Sequence, residues 1–169
     1  MNKIVTYGQY PWRIVFVSNL VSLGTYLMCL YILLYLHYII AIAFLFYIVV
    51  LEFRLLRYHC VNCWYYGKRC GFGRGNISAW FFKKGDSAIF IKKQITWKSM
   101  LPELLTSLVP VLVGIVLLIL NFDFKILLAI IIILIISTWG NGFVRGKLVC
   151  KHCKQRECGC PAYKLFEKK

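Results

Sequence analysis

Cysteine supplies most of the chemistry open to this chain, and six of its eight cysteines form a repeat. Cys60, Cys63 and Cys70 are spaced C-x2-C-x6-C, and Cys150, Cys153 and Cys160 repeat that spacing after a shift of 90 residues. Cys158 is an extra cysteine in the second copy only. A CxxC turn offers a metal two neighbouring thiolates, and zinc takes four thiolate or imidazole ligands in a tetrahedron. Iron–sulfur clusters also use cysteine thiolates, but neither ferredoxin spacing is present, so zinc is the preferred ion and an iron–sulfur cluster the alternative. The absence of CxxCH disfavours covalent haem. A third reading is a membrane thiol-disulfide oxidoreductase using the CxxC pairs directly.

Two ligand assignments compete. In the first, each half closes its own site: Cys150, Cys153, Cys158 and Cys160 in the second, and Cys60, Cys63 and Cys70 in the first, with His59 a sterically awkward fourth ligand. In the second, the CxxC pairs meet about a common axis and share a site. Symmetry favours sharing, whereas the unmatched Cys158 tips the expectation towards separate sites. Lys68, Arg69, Lys147, Lys151, Lys154 and Arg156 flank the thiols and would offset the charge of a thiolate-bound zinc.

The elements that position these clusters are apolar. The chain is 60% hydrophobic, with a mean hydropathy of +0.70. About 20 apolar residues span the hydrocarbon core of a bilayer. The run from Ile14 to Arg54 is too long for one crossing and too long for the apolar part of a signal peptide. It divides into two helices with a turn at 34–38, where His37 is the only strongly polar residue. Asn19, Ser22 and Gly24 suit close helix packing, and Cys29, alone in an apolar run, suits a small hydrophobe. A third helix is expected from about Leu101 to Leu120, with Ser99 as its N-cap and a kink at Pro110. A fourth, at about 126–143, should loosen or stop at Gly140-Asn141-Gly142, with Asn141 as a C-cap.

The predicted fold is an all-α membrane protein of four transmembrane helices, arranged as two tandem hairpins, each followed by a cytoplasmic Cys-rich metal-binding loop. Residues 1–75 and 101–169 form the two repeats, and residues 76–100 a basic-aromatic segment between them. Each repeat crosses the membrane an even number of times, so the repeats run parallel and their clusters meet on one face.

Charge sets the orientation. Of 21 basic residues, 20 lie before the first apolar run, from Arg54 to Lys98, or from Arg145 onward. The positive-inside rule then places both termini and both clusters in the cytoplasm of a multi-pass cell-membrane protein. Thiols stay reduced there, which disfavours a disulfide framework. In the lead, Tyr7, Tyr10 and Trp12 suit the headgroup region. Glu52 is expected to pair with Arg54 or Arg57. Trp80-Phe81-Phe82-Lys83-Lys84 and Ile89-Phe90-Ile91-Lys92-Lys93 flank a Gly85-Asp86 turn and suit a surface that meets anionic lipid headgroups. Nucleic acid is not the expected partner; a protein docking on the cytoplasmic face is. Gly71-Phe72-Gly73-Arg74-Gly75 suits a turn leaving the cluster better than a phosphate cradle, since no GK[ST] follows. No paired carboxylates or Ser/His/Asp set appear, and six acidic residues leave little acid–base chemistry.

The topology is tested by thiol labelling. In intact cells a membrane-impermeant maleimide should leave Cys158 unmodified and should label it after permeabilisation; labelling of intact cells would invert the orientation.

Overall fold

The computed structural model describes residues 5–92 and 96–160. Lys3, Lys93, Lys164, Lys168 and Lys169, five of the basic residues that set the expected orientation, lie outside the described residues. Every regular element described is helical, and the one strand-like pairing is an isolated bridge. Helix α1 spans Trp12–Leu36, α2 Tyr38–Tyr58, α3 Arg74–Phe81, α4 Ser87–Lys92, α5 Trp97–Leu120 and α6 Phe124–Ile135. Among the described residues, four helical stretches are long and apolar enough to cross a membrane: Trp12–Leu36, Tyr38–Asn62, Trp97–Leu120 and Phe124–His152. The chain is thus a multi-pass membrane protein in its fold.

Its residues group into two compact units. One takes Leu20–Leu51 and Trp97–Asn141; the other takes Met1–Asn19, Glu52–Thr96 and Gly142–Lys169.

The first unit is a helical core. Cys29, Ile32 and Leu33 of α1 cluster with Ala41, Phe44 and Ile48 of α2 and with Ile126, Ala129, Ile130 and Ile133 of α6. Cys29 is fully buried among them, as a small hydrophobe should be. The break between α1 and α2 falls at His37, whose Nδ1 accepts the Ile39 N–H and so caps the second helix. Gly114 lets α5 approach α6, since a Cβ there would stand 2.9 Å from Ile130 Cδ1. Tyr47 Oη donates to the Pro102 carbonyl at 2.8 Å. Asp123 caps α6 by accepting the Lys125 N–H at 2.8 Å.

Two expectations for these helices change. Helix α5 starts at Trp97, so Ser99 lies inside it and is no cap. Pro102 forfeits only a first-turn bond to the Lys98 carbonyl, too little to stop the helix upstream. The fourth span does not end at Gly140-Asn141-Gly142. It passes into wide π-type turns over Ile136–Gly140 and Val144–Val149, joined by Asn141–Phe143. Asn141 keeps helical angles, and its Nδ2 donates back to the Ser137 carbonyl rather than closing the end. The glycines loosen the helix, but its own backbone bonds carry it on.

A branched or longer side chain at Gly114 should overpack this core. Gly114→Val is expected to cost ~1–3 kcal/mol, read as a lowered Tm in detergent, whereas Gly142→Ala, with nothing within 4 Å of the added Cβ, should leave Tm unchanged.

Candidate metal centre

The second unit brings the two cysteine loops together. Each begins with one tight 3₁₀ turn, Cys60–Asn62 and Cys150–His152. The Cys63 N–H donates to the Cys60 carbonyl at 3.2 Å, and the Cys153 N–H to the Cys150 carbonyl at 3.3 Å. Cys63 and Cys153 then both turn to extended backbone, at ψ 151° and 123°. The two turns are the same structure built from different residues.

They face each other through a reciprocal exchange. Trp64 N–H donates to Gln155 Oε1 at 2.6 Å. Lys154 N–H donates to Tyr65 Oη at 2.9 Å. Under the shift of 90, Trp64 corresponds to Lys154 and Tyr65 to Gln155, so these bonds are two-fold mates. The same symmetry governs the sulfurs: the backbone N–H of Tyr65 acts on Cys63 and that of Gln155 on Cys153. Cys63 Sγ also lies 3.7 Å from Gln155 Oε1.

The amino-terminal lead stitches the loops together, which the sequence reading missed. Tyr10 is completely buried; its Oη donates to the Val149 carbonyl at 2.6 Å, and its N–H donates to the Arg69 carbonyl. Tyr7 N–H donates to the His152 carbonyl, Tyr65 Oη donates to the Tyr7 carbonyl at 2.6 Å, and His152 Nδ1–H donates to the Val5 carbonyl. Tyr7 and Tyr10 are therefore held by protein rather than exposed as headgroup anchors. The Tyr10 hydroxyl finds a carbonyl that a membrane surface would not offer, and Tyr7 is held through its backbone. Trp12 alone stays open, 67% exposed, with the Arg69 guanidinium 4.7 Å from its ring centre.

The glycine loop does packing work. Gly73 takes φ +74° ahead of α3. A Cβ on Gly75 would strike the Tyr65 and Lys68 carbonyls, and one on Gly71 the Val149 side chain. The Gly71 contact sets the residue after Cys70 against the residue before Cys150. Glu52 pairs with Arg74, not with Arg54 or Arg57 of its own helix.

By sequence each loop carries a triad of thiols, Cys60, Cys63 and Cys70 in one and Cys150, Cys153 and Cys160 in the other. Cys60 feels Cys70 and Cys63; Cys150 feels Cys160; Cys153 feels Cys63, Cys160 and Cys150. Burial pushes the Cys63 thiol up to about 11, reinforced by Cys70 and Cys160 and opposed by the Tyr65 and Trp64 N–H groups. Burial likewise lifts Cys153 to about 12, opposed by the Gln155 N–H. Cys158 is exposed. His59 turns its ring edge-on to Phe90. Among the described residues, no three His, Cys, Asp or Glu side chains converge as they stand into a set able to hold an ion. Two buried donors beside the triads, Gln155 Nε2 and Arg69 Nε, have no hydrogen-bond partner among the described residues. Compared with known proteins, the chain matches no family model, no curated protein and no solved structure.

Without metal, the fold favours the protonated thiol at Cys63. Stability should therefore be complete below the ordinary thiol value of 9.0 and fall as pH climbs towards about 11. Alkylation of Cys63 in EDTA-treated protein should accelerate over the same range; a rate already at its plateau at pH 8 would contradict the burial. Tyr65→Phe strips the acceptor from Lys154 N–H and should cost ~1–3 kcal/mol.

Proposed function

We propose that this protein is a multi-pass membrane protein whose cytoplasmic face carries a zinc unit held by the cysteine triads, serving as a structural and docking module at the membrane surface. The observation that carries this reading is the pair of matched CxxC turns, locked face to face by the Trp64–Gln155 and Lys154–Tyr65 bonds. Backbone N–H groups directed at Cys63 and Cys153 favour thiolate, the form that binds metal. Arg74 bears on Cys60 and Arg145 on Cys150, supplying positive charge to each triad. Cys60, Cys63, Cys70, Cys150, Cys153 and Cys160 would hold the metal, drawn inward by side-chain rotation; Cys158 stays outside. Thiolate ligation would supply folding energy to loops too small to form a core alone. The two hairpins of the sequence reading, both termini cytoplasmic, complete the arrangement.

The segment joining the second and third spans supports a membrane-surface role. Trp80, Phe81, Ile89 and Ile91 are exposed beside Lys83 and Lys84. Apolar side chains would enter the interface while lysines meet anionic headgroups.

Purified without chelator, the protein should be colourless and carry zinc by elemental analysis. Serine at Cys60, Cys63, Cys150 or Cys153 should lower the zinc content, and Cys29→Ser should not. A brown preparation with iron and acid-labile sulfide would replace zinc by an iron–sulfur centre. Metal-free protein from zinc-replete cells would sink the reading.

A further inference from the structure

We propose, resting on the thiolate-metal reading above, that the six repeat cysteines hold two metal ions in one binuclear cluster in which Cys63 and Cys153 bridge. A closed zinc site takes four ligands, and each loop brings three thiols that obey the repeat. Neither loop completes a site alone: Cys158 is exposed, and the His59 ring packs edge-on to Phe90. One shared ion with four thiolates would leave two of the six without a role. Two ions have eight ligand positions between them, which six thiolates fill when two of them serve both ions.

Symmetry limits which two. A bridging pair in a two-fold cluster consists of equivalent residues: Cys60 with Cys150, Cys63 with Cys153, or Cys70 with Cys160. Geometry selects the middle pair. The residues directly after Cys63 and Cys153 make the reciprocal bonds that join the loops. Cys63 Sγ reaches Gln155 of the opposite loop, and Cys153 is itself paired with Tyr7 at the seam. The contact of Gly71 with Val149 brings the ends of the two triads together on the flank. As each sulfur–metal bond forms, the thiol proton passes to solvent. Two divalent ions and six thiolates carry a net charge of −2. Lys68, Arg69, Arg74, Arg145 and Lys154 of the same unit oppose that charge, and the unpartnered Gln155 Nε2 and Arg69 Nε are donors suited to sulfur.

The test is cadmium substitution of the full-length protein in detergent, with isotopically enriched cadmium(II) as the probe. Two ions per chain, with two cadmium resonances coupled to each other through a shared sulfur, would establish the cluster, and Cys158→Ser should keep both. Two uncoupled resonances would overturn the bridge. One ion per chain, with thiolate-range shifts, would overturn the binuclear cluster and leave the metal reading standing. No bound cadmium would overturn both. Since the decisive measurement is made on the unmutated protein, misfolded cysteine variants do not blunt it.

Discussion

Everything in the cysteine-bearing unit depends on one exchange: the loop after Cys63 gives a backbone N–H to Gln155, and the loop after Cys153 gives one to Tyr65. A buried amide or hydroxyl left unpaired is costly. Gln155 is only 2% exposed and Tyr65 1%, and each accepts a backbone N–H from the other loop. Neither loop contains the apolar surface for a core of its own. Their stability is mutual, and it is polar before it is hydrophobic.

Tyr10 closes the arrangement from a third direction. Its ring lies 5.6 Å from that of Tyr65, and its hydroxyl reaches the carbonyl of Val149, just ahead of the second CxxC turn. An aromatic with a polar tip suits this place, because it fills volume and satisfies a carbonyl at once. The wide turns over Val144–Val149 spread the backbone bonds of the chain that leads into Cys150. A regular α-helix would rotate the cysteine turn to a different face. Gly140-Asn141-Gly142, which the sequence suggested would end the helix, lies within this continuing path.

The sequence made the apolar spans readable because they obey a length set by the bilayer. His37 marks the break between α1 and α2 as the lone polar residue there. The cysteine turns were readable because the same C-x2-C spacing returns after 90 residues. The bonds between the loops were not, because the symmetric positions hold different residues. Tyr65 and Gln155 share only the ability to accept a hydrogen bond, and Trp64 and Lys154 share only a backbone N–H. Comparing side chains across the shift of 90 therefore finds little, although the backbone repeats faithfully. Tyr10 was misread for a related reason. A tyrosine just before an apolar helix usually sits at the membrane interface, and only the loops it meets, more than 50 residues away, give it a buried role. Glu52 prefers Arg74 to nearer arginines because α3 brings that guanidinium to it from another element.

Clustered thiols face a choice that burial sharpens. Taken from water, each thiolate is destabilised, and each raises the cost of ionising the next, as Cys63 and Cys160 do for Cys153. A group of six can then stay protonated, as ordinary small hydrophobes, or surrender its protons together to a cation that converts repulsion into attraction. Burial favours the first state, but other features of the unit oppose it. N–H groups directed at Cys63 and Cys153 stabilise negative sulfur, Arg74 and Arg145 bear on one triad each, and two buried donors lack acceptors. A purely apolar packing of thiols needs none of these features. They make physical sense when sulfur carries charge.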